Sequence, residues 1–179
     1  MAENAPTRIC VIGPECTGKT ELAQRLAREL GVEWVPEYAR EYAEQHELSA
    51  ETVEPIARGE IANLDRATGD LVILDTDLLS TVVYARHYYG SCPAWIEEEA
   101  RKRRADLYLL LDTDIEWQHD SVRDTDDARE DLFDAFRAAL DEFETKWVIV
   151  SGVGEARYAA AASIVISSRQ PSSDATTSP

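Results

Sequence analysis

The sequence predicts an α/β domain built on a parallel five-stranded sheet with helices on both faces. Short, continuously apolar runs recur along the chain, segments of helical period lie between them, and a glycine-bearing loop joins the first run to the first helix. With 179 residues, 44% of them hydrophobic, the chain is long enough for one domain with a well-buried core and too short for two.

Arg8 to Ile12 is a β-branched apolar run ending in glycine, and Leu22, Ala23, Leu26, Ala27 and Leu30 then recur at helical spacing. Strand, loop and helix therefore follow in that order. Gly31 closes the helix, and a second strand, Val32 to Val35, is stopped by Pro36. A helical stretch covers Tyr38 to about Glu47. Ser49 reads as the N-cap of another that reaches about Thr68, with Pro55 kinking it or dividing it in two. Leu71 to Leu74 and Leu107 to Leu111 are strands entering Asp75 and Asp112, with helical stretches Leu78 to Tyr89 and Pro93 to Asp106 between them. Trp147 to Val150 is a fifth strand, followed by Gly152, Gly154 and an alanine-rich helix near Glu155 to Ala162. Ile164 to Ile166 is too short to assign. Residues 1–166 make the single domain, and 167–179, almost all Ser, Thr, Pro and Asp, read as a disordered tail.

In sheets of this kind ligands bind beyond the carboxyl ends of the strands, where the first strand, the Asp75 strand and the Gly152 strand all deliver their next residues. Gly13-Pro14-Glu15-Cys16-Thr17-Gly18-Lys19-Thr20 fits the P-loop pattern at every fixed position, between a strand and a helix. Such a loop turns consecutive amides inward around phosphates at a helix N-terminus, Lys19 reaches the β/γ-phosphates and the Thr20 hydroxyl binds Mg²⁺. The nucleotide side is thus Gly13, Glu15, Cys16, Thr17, Gly18, Lys19, Thr20 and Glu21, and the expected cofactors are ATP and Mg²⁺. The fold class sharpens to a P-loop kinase fold with a small lid.

Asp75, at the end of a buried strand, is the second metal-side candidate beside Thr20, because a hard cation that keeps its waters needs a carboxylate. Asp77 either faces a substrate hydroxyl or caps the helix beginning near Leu78. Glu37, in Pro36-Glu37-Tyr38-Ala39-Arg40, suits a general base facing an acceptor across the sheet edge; the alternative is a solvated acid in a first helical turn. Arg40 lies one turn on and suits a phosphate or an acidic side chain. The acid-rich stretch 113–132, which contains Trp117, Asp120, Arg123 and Arg129, reads as the lid. Arg123 and Arg129 either stabilise the moving phosphoryl group or pair with neighbouring carboxylates. Aromatic residues such as Tyr38, Tyr84 and Tyr88 are by themselves unspecific and usually packing. The basic run Arg101-Lys102-Arg103-Arg104 reads as solvated cations balancing a helix dipole.

A net charge of −17 and a pI near 4.5 exclude a broad nucleic-acid footprint, which needs a basic face. No apolar segment approaches a membrane span and no secretory signal opens the chain. The three cysteines, at 10, 16 and 92, show no close pair, and the three histidines show no ligand spacing. A cytoplasmic protein with reduced thiols and no nucleic-acid or membrane partner is expected.

Taken together, the loop at 13–20, Pro-Glu-Tyr-Ala-Arg-Glu-Tyr at 36–42, and Asp-Thr-Asp at 75–77 with Thr81, Tyr84 and Gly90 resemble the ribosylnicotinamide kinase domain of NadR-type proteins. The resemblance runs on through Trp117, Asp120 and Arg123 to Gly152 and Arg157. It implies Mg²⁺-assisted transfer from ATP to the 5′-hydroxyl of nicotinamide riboside. It also implies a nucleotide role for Gly152 and Arg157, and an acceptor site of Glu37, Tyr38, Arg40, Asp77, Tyr84, Trp117 and Asp120. With the loop beginning at residue 13, a stand-alone kinase without an adenylyltransferase domain is expected. The competing readings are a kinase for another nucleoside or small metabolite, and a nucleotide-dependent switch.

Overall fold

The computed structural model describes residues 6–114 and 126–169. Five parallel strands, β1 (Thr7–Ile12), β2 (Glu33–Val35), β3 (Leu71–Asp75), β4 (Leu107–Leu111) and β5 (Trp147–Val150), lie in the order β2-β3-β1-β4-β5. Among the described residues, seven α-helices connect and follow them: α1 (Lys19–Leu30), α2 (Tyr38–Ala43), α3 (Val53–Arg66), α4 (Leu78–Tyr89), α5 (Ala94–Lys102), α6 (Asp126–Glu142) and α7 (Glu155–Ser168).

Strand alternation sorts the core into two layers. Ile9, Val11, Ile73, Leu109 and Leu111 point to one face, where α1 and α7 cover them with Leu22, Leu26, Ala161 and Val165. Cys10, Ile12, Val72, Leu74, Tyr108 and Leu110 point to the other, under α3 to α6. Because both faces are buried, β3 and β4 are apolar at nearly every position.

Several boundaries differ from the sequence expectation. The stretch from Ser49 opens as a 3₁₀ turn (Ala50–Thr52) before α3, so Pro55 falls in the first turn of α3, where its missing N–H has no helical acceptor to lose. The helix from Tyr38 ends at Ala43, and α5 stops at Lys102. Ile164 to Ile166 belongs to α7, which carries Val165 into the core and extends through Ser167 and Ser168, residues the sequence placed in the tail.

Helix α6 was not expected at all. Its 126–132 portion falls in the segment read as lid, yet Leu132, Phe136, Ala139, Leu140 and Phe143 recur at helical spacing and bury against α4. The basic run is also less solvated than expected. Arg101 bonds Glu142, Arg103 bonds Glu99 and Asp65, and Arg104 donates to the Phe143 carbonyl, so the run ties α5 to its neighbours.

Candidate active site

The P-loop leaves β1 at Gly13, where a Cβ would lie 3.1 Å from the Leu111 carbonyl of the adjacent strand. Gly18, in the left-handed region at φ 79°, is the N-cap of α1 and supplies no capping side chain, so the first-turn amides are left to a ligand. Thr17 Oγ1 and Lys19 Nζ both donate to the Pro14 carbonyl, at 2.8 and 2.6 Å, which folds the lysine over the loop. Burial lowers the pKa of Lys19, and Glu37, Glu15 and Asp75 pull it back up. Register places Asp75 beside Val11, two residues before the loop. Its Oδ1 and the Thr20 Oγ1 are both buried and neither has a hydrogen-bond partner among the described residues. Burial raises the Asp75 carboxyl, with the nearby Thr20 hydroxyl and Lys19 drawing it down.

A cavity of about 580 Å³ opens from this loop. Glu15, Cys16, Gly18, Lys19 and Thr20 form one wall, and Glu37 and Arg40 enter from the second strand's end. The far wall is α4, which presents Ser80, Thr81, Tyr84, Tyr88 and Tyr89, over a floor that includes Val53, Ile56 and Glu60 from α3. The Tyr84 and Tyr88 rings run parallel within 3°, with centroids 6.1 Å apart. Glu37 stands just before α2 with its side chain 15% exposed and Arg40 3.6 Å away. Burial pushes its carboxyl up from the ordinary range, Lys19 pulls it down, and Asp75 pushes it up again, so base candidate and phosphate lysine feel each other's charge.

Other expected residues land elsewhere. Asp77 is 2% exposed and serves as the N-cap of α4: Oδ1 accepts from the Leu79 N–H at 3.0 Å and Oδ2 from the Tyr108 hydroxyl at 2.6 Å. Of its two readings, capping is the one realised, and Asp77 does not line the cavity. Burial nevertheless raises its carboxyl to about 6. Tyr38 turns its ring toward α3 instead of the cavity. Arg157, 4% exposed, braces the loop from behind: it donates to the Thr17 carbonyl at 2.6 Å, to the Gly152 and Asp112 carbonyls, and to the Asp114 carboxylate. The Gly152 amide bonds the same Asp114. Arg129 is buried on α6 and is not among the cavity-lining residues. Trp117, Asp120 and Arg123 lie outside the described residues.

Three buried polar residues that line the cavity were given no role by the sequence, Glu60, Thr76 and Ser80. The signal for Glu60 was available. With Val53, Ile56, Ala57 and Leu64 it occupies the buried stripe of α3, where an acid is out of place unless it has partners. Burial raises its carboxyl to about 8, against the pull of the Tyr38 and Ala39 amides. Nothing in the pattern around Ser80 distinguished it, and its Oγ has no hydrogen-bond partner among the described residues.

A parallel sheet in this order, with a phosphate loop after its first strand and an acceptor-sized cavity walled by helices, defines a P-loop kinase fold. A profile of the AAA domain family matches residues 8–157, and the chain belongs to that family. Over 124 residues it is 26% identical to the trifunctional NAD biosynthesis/regulator protein NadR of Escherichia coli, a match covering 64% of this chain and 30% of that protein. Two crystal structures of NadR are similar in fold. One, in complex with NR, has a TM-score of 0.74 at 27% identity and covers 97% of this chain and 53% of the other; the second, with NAD and AMP-PNP, has a TM-score of 0.69 at 29% identity, covering 91% and 49%. The chain thus spans under a third of the curated relative and about half of the crystallised ones. Thymidylate kinase of Ehrlichia chaffeensis, at 13% identity and a TM-score of 0.63, shares the fold, with 91% of this chain and 99% of that one covered.

Proposed function

We propose that this chain is an ATP-dependent kinase that phosphorylates the 5′-hydroxyl of nicotinamide riboside. The observation that carries the reading is that Glu37 and Lys19 line one cavity, so an acceptor hydroxyl and a γ-phosphate can meet between them. Glu37 takes the hydroxyl proton as the oxygen attacks phosphorus in line, and ADP departs on the loop side. Lys19 and the loop amides carry the phosphate charge, Arg157 keeps the loop in shape, and Arg123 is assigned to the moving phosphoryl group, while Arg129, buried on α6, does not line the cavity.

The orphaned oxygens of Thr20 and Asp75 suit Mg²⁺ as a hard cation that prefers oxygen, so these two residues would hold it. When bound, it neutralises phosphate charge. For the acceptor, the parallel faces of Tyr84 and Tyr88 and the carboxylates of Glu15 and Glu37 favour a cationic ring such as a pyridinium. The NR-bound relative supports the same choice.

The test is ADP release with and without nicotinamide riboside, followed by mass analysis of the product and a panel of other nucleosides at fixed ATP. Acceptor-dependent ADP with a mononucleotide product is expected. Equal ADP release without any acceptor, and no phosphorylated product, would overturn the reading.

A further inference from the structure

Glu37 occupies the N-cap position of α2, where a short side chain such as Asp or Ser accepts a hydrogen bond from the second or third amide of the helix. It makes no such bond. The Tyr38 N–H is taken instead by Glu60 Oε1, at 2.8 Å, from α3. The neighbouring residue completes the junction. A Cβ on Gly59 would lie 2.0 Å from Cε1 and 2.2 Å from Cδ1 of Tyr38, so the ring rests directly on the glycine. Consecutive residues of α3 therefore hold α2 twice, by its first amide and by its first side chain.

An acid buried to 2% exposure is costly unless it is used. Its use here is to accept the first amide of α2 and so hold the Glu37–Tyr38 peptide in place. We infer that Gly59 and Glu60 form a positioning seat that fixes the Glu37–Tyr38 peptide at the start of α2 and so keeps the Glu37 carboxylate facing the acceptor hydroxyl. This rests on the reading of Glu37 as the general base. Without the seat, the Glu37–Tyr38 peptide is free to turn, the geometry a base needs is lost, and a displacement of about 1 Å costs on the order of 10²-fold in rate.

The experiment compares kcat and both KM values for Glu60→Ala, Glu60→Gln, Gly59→Ala, Tyr38→Ala and the double variant Gly59→Ala/Tyr38→Ala, with Glu37→Gln as reference. Glu60→Ala is expected to lower kcat by about 10- to 100-fold with KM for ATP unchanged. Glu60→Gln keeps an acceptor oxygen and restores kcat to within about 3-fold of the parent protein. Gly59→Ala is expected to lower the kcat of its folded fraction, and to do so far less once the Tyr38 ring is gone, a coupling in rate that a loss of stability alone does not produce. That cycle decides the matter if Glu60→Ala does not fold.

Parent-like kcat in Glu60→Ala with an inactive Glu37→Gln would overturn the seat and leave the base reading intact. Additive losses at Gly59 and Tyr38, or a Glu60→Gln as slow as Glu60→Ala, would overturn it too. Full activity in Glu37→Gln would instead remove the base reading.

Discussion

The phosphate half of the cavity comes from one consecutive run, 13–20, whereas its acceptor half is assembled from α2, α3, α4 and the 3₁₀ turn between α2 and α3. In the proposed reading, backbone amides and a single lysine do the work in the first, and side chains from distant parts of the chain do it in the second. Phosphates are alike in every nucleotide, so a local backbone shape suffices to bind them. An acceptor is particular, and recognising it takes groups that only packing can bring together.

The sharpest way to break this comparison is to attack the phosphate half. Lys19→Ala should cut single-turnover phosphoryl transfer by about 10³-fold, the scale of losing a preorganised charge donor. A loss of only a few-fold would mean that the loop amides suffice alone.

On the acceptor half, Glu37→Gln should lower kcat by about 10²- to 10⁴-fold while leaving KM for ATP in place. Its pH–rate profile sharpens the point. Burial raises the Glu37 carboxyl from its ordinary 4.5, and a base works only when deprotonated. The rate should therefore climb with pH along an acid limb centred above 4.5, and the glutamine variant should lack that limb.

A smaller effect is expected in stability. The Glu60 carboxyl titrates at about 8 in the fold against 4.5 ordinarily, so the native state keeps this proton longer than the unfolded chain. Its stabilising contribution is fully present below 4.5 and lost as pH rises through about 8. Asp77, raised from 3.8 to about 6, acts with the same sign in a lower window. The unfolding free energy from denaturant titration should fall between about pH 4 and 8, with a slope of at most about 1.4 kcal/mol per pH unit for each group, Asp77 over the lower part of that window and Glu60 up to its upper end. Glu60→Gln should flatten that part of the curve.

The smallest effect should come from a site in neither half. Arg86 bonds Glu97 and Glu142 and ties α4 to α5 and α6. Arg86→Ala should cost about 1 kcal/mol, read as a few degrees in melting temperature, with kcat and KM unchanged. A kinetic change would show that α4 transmits strain to the acceptor wall.

How much of this was legible in the chain follows the same division. The loop, the strand ends at Glu37 and Asp75, and the parallel sheet were readable because each is written in neighbouring residues. Asp77 stayed ambiguous, since capping and substrate binding use the same carboxylate. The fold shows it capping α4 through the Leu79 amide, with the Tyr108 hydroxyl of another strand on its second oxygen. Arg157 was read toward nucleotide through a resemblance, and the fold shows it bracing the loop through Thr17, 140 residues away. Helix α6 was missed because its acidic exposed face masked a buried stripe of Leu132, Phe136, Leu140 and Phe143.

The sequence by itself determined the P-loop at 13–20, because glycine conformations, a helix start and a lysine at fixed spacing are local properties of the backbone. Only the tertiary structure decided that α3 should seat α2 through Gly59 and Glu60. That contact joins residues 22 apart, and no local rule favours an acid inside a buried stripe. It is stable only where another helix presents an amide to receive it.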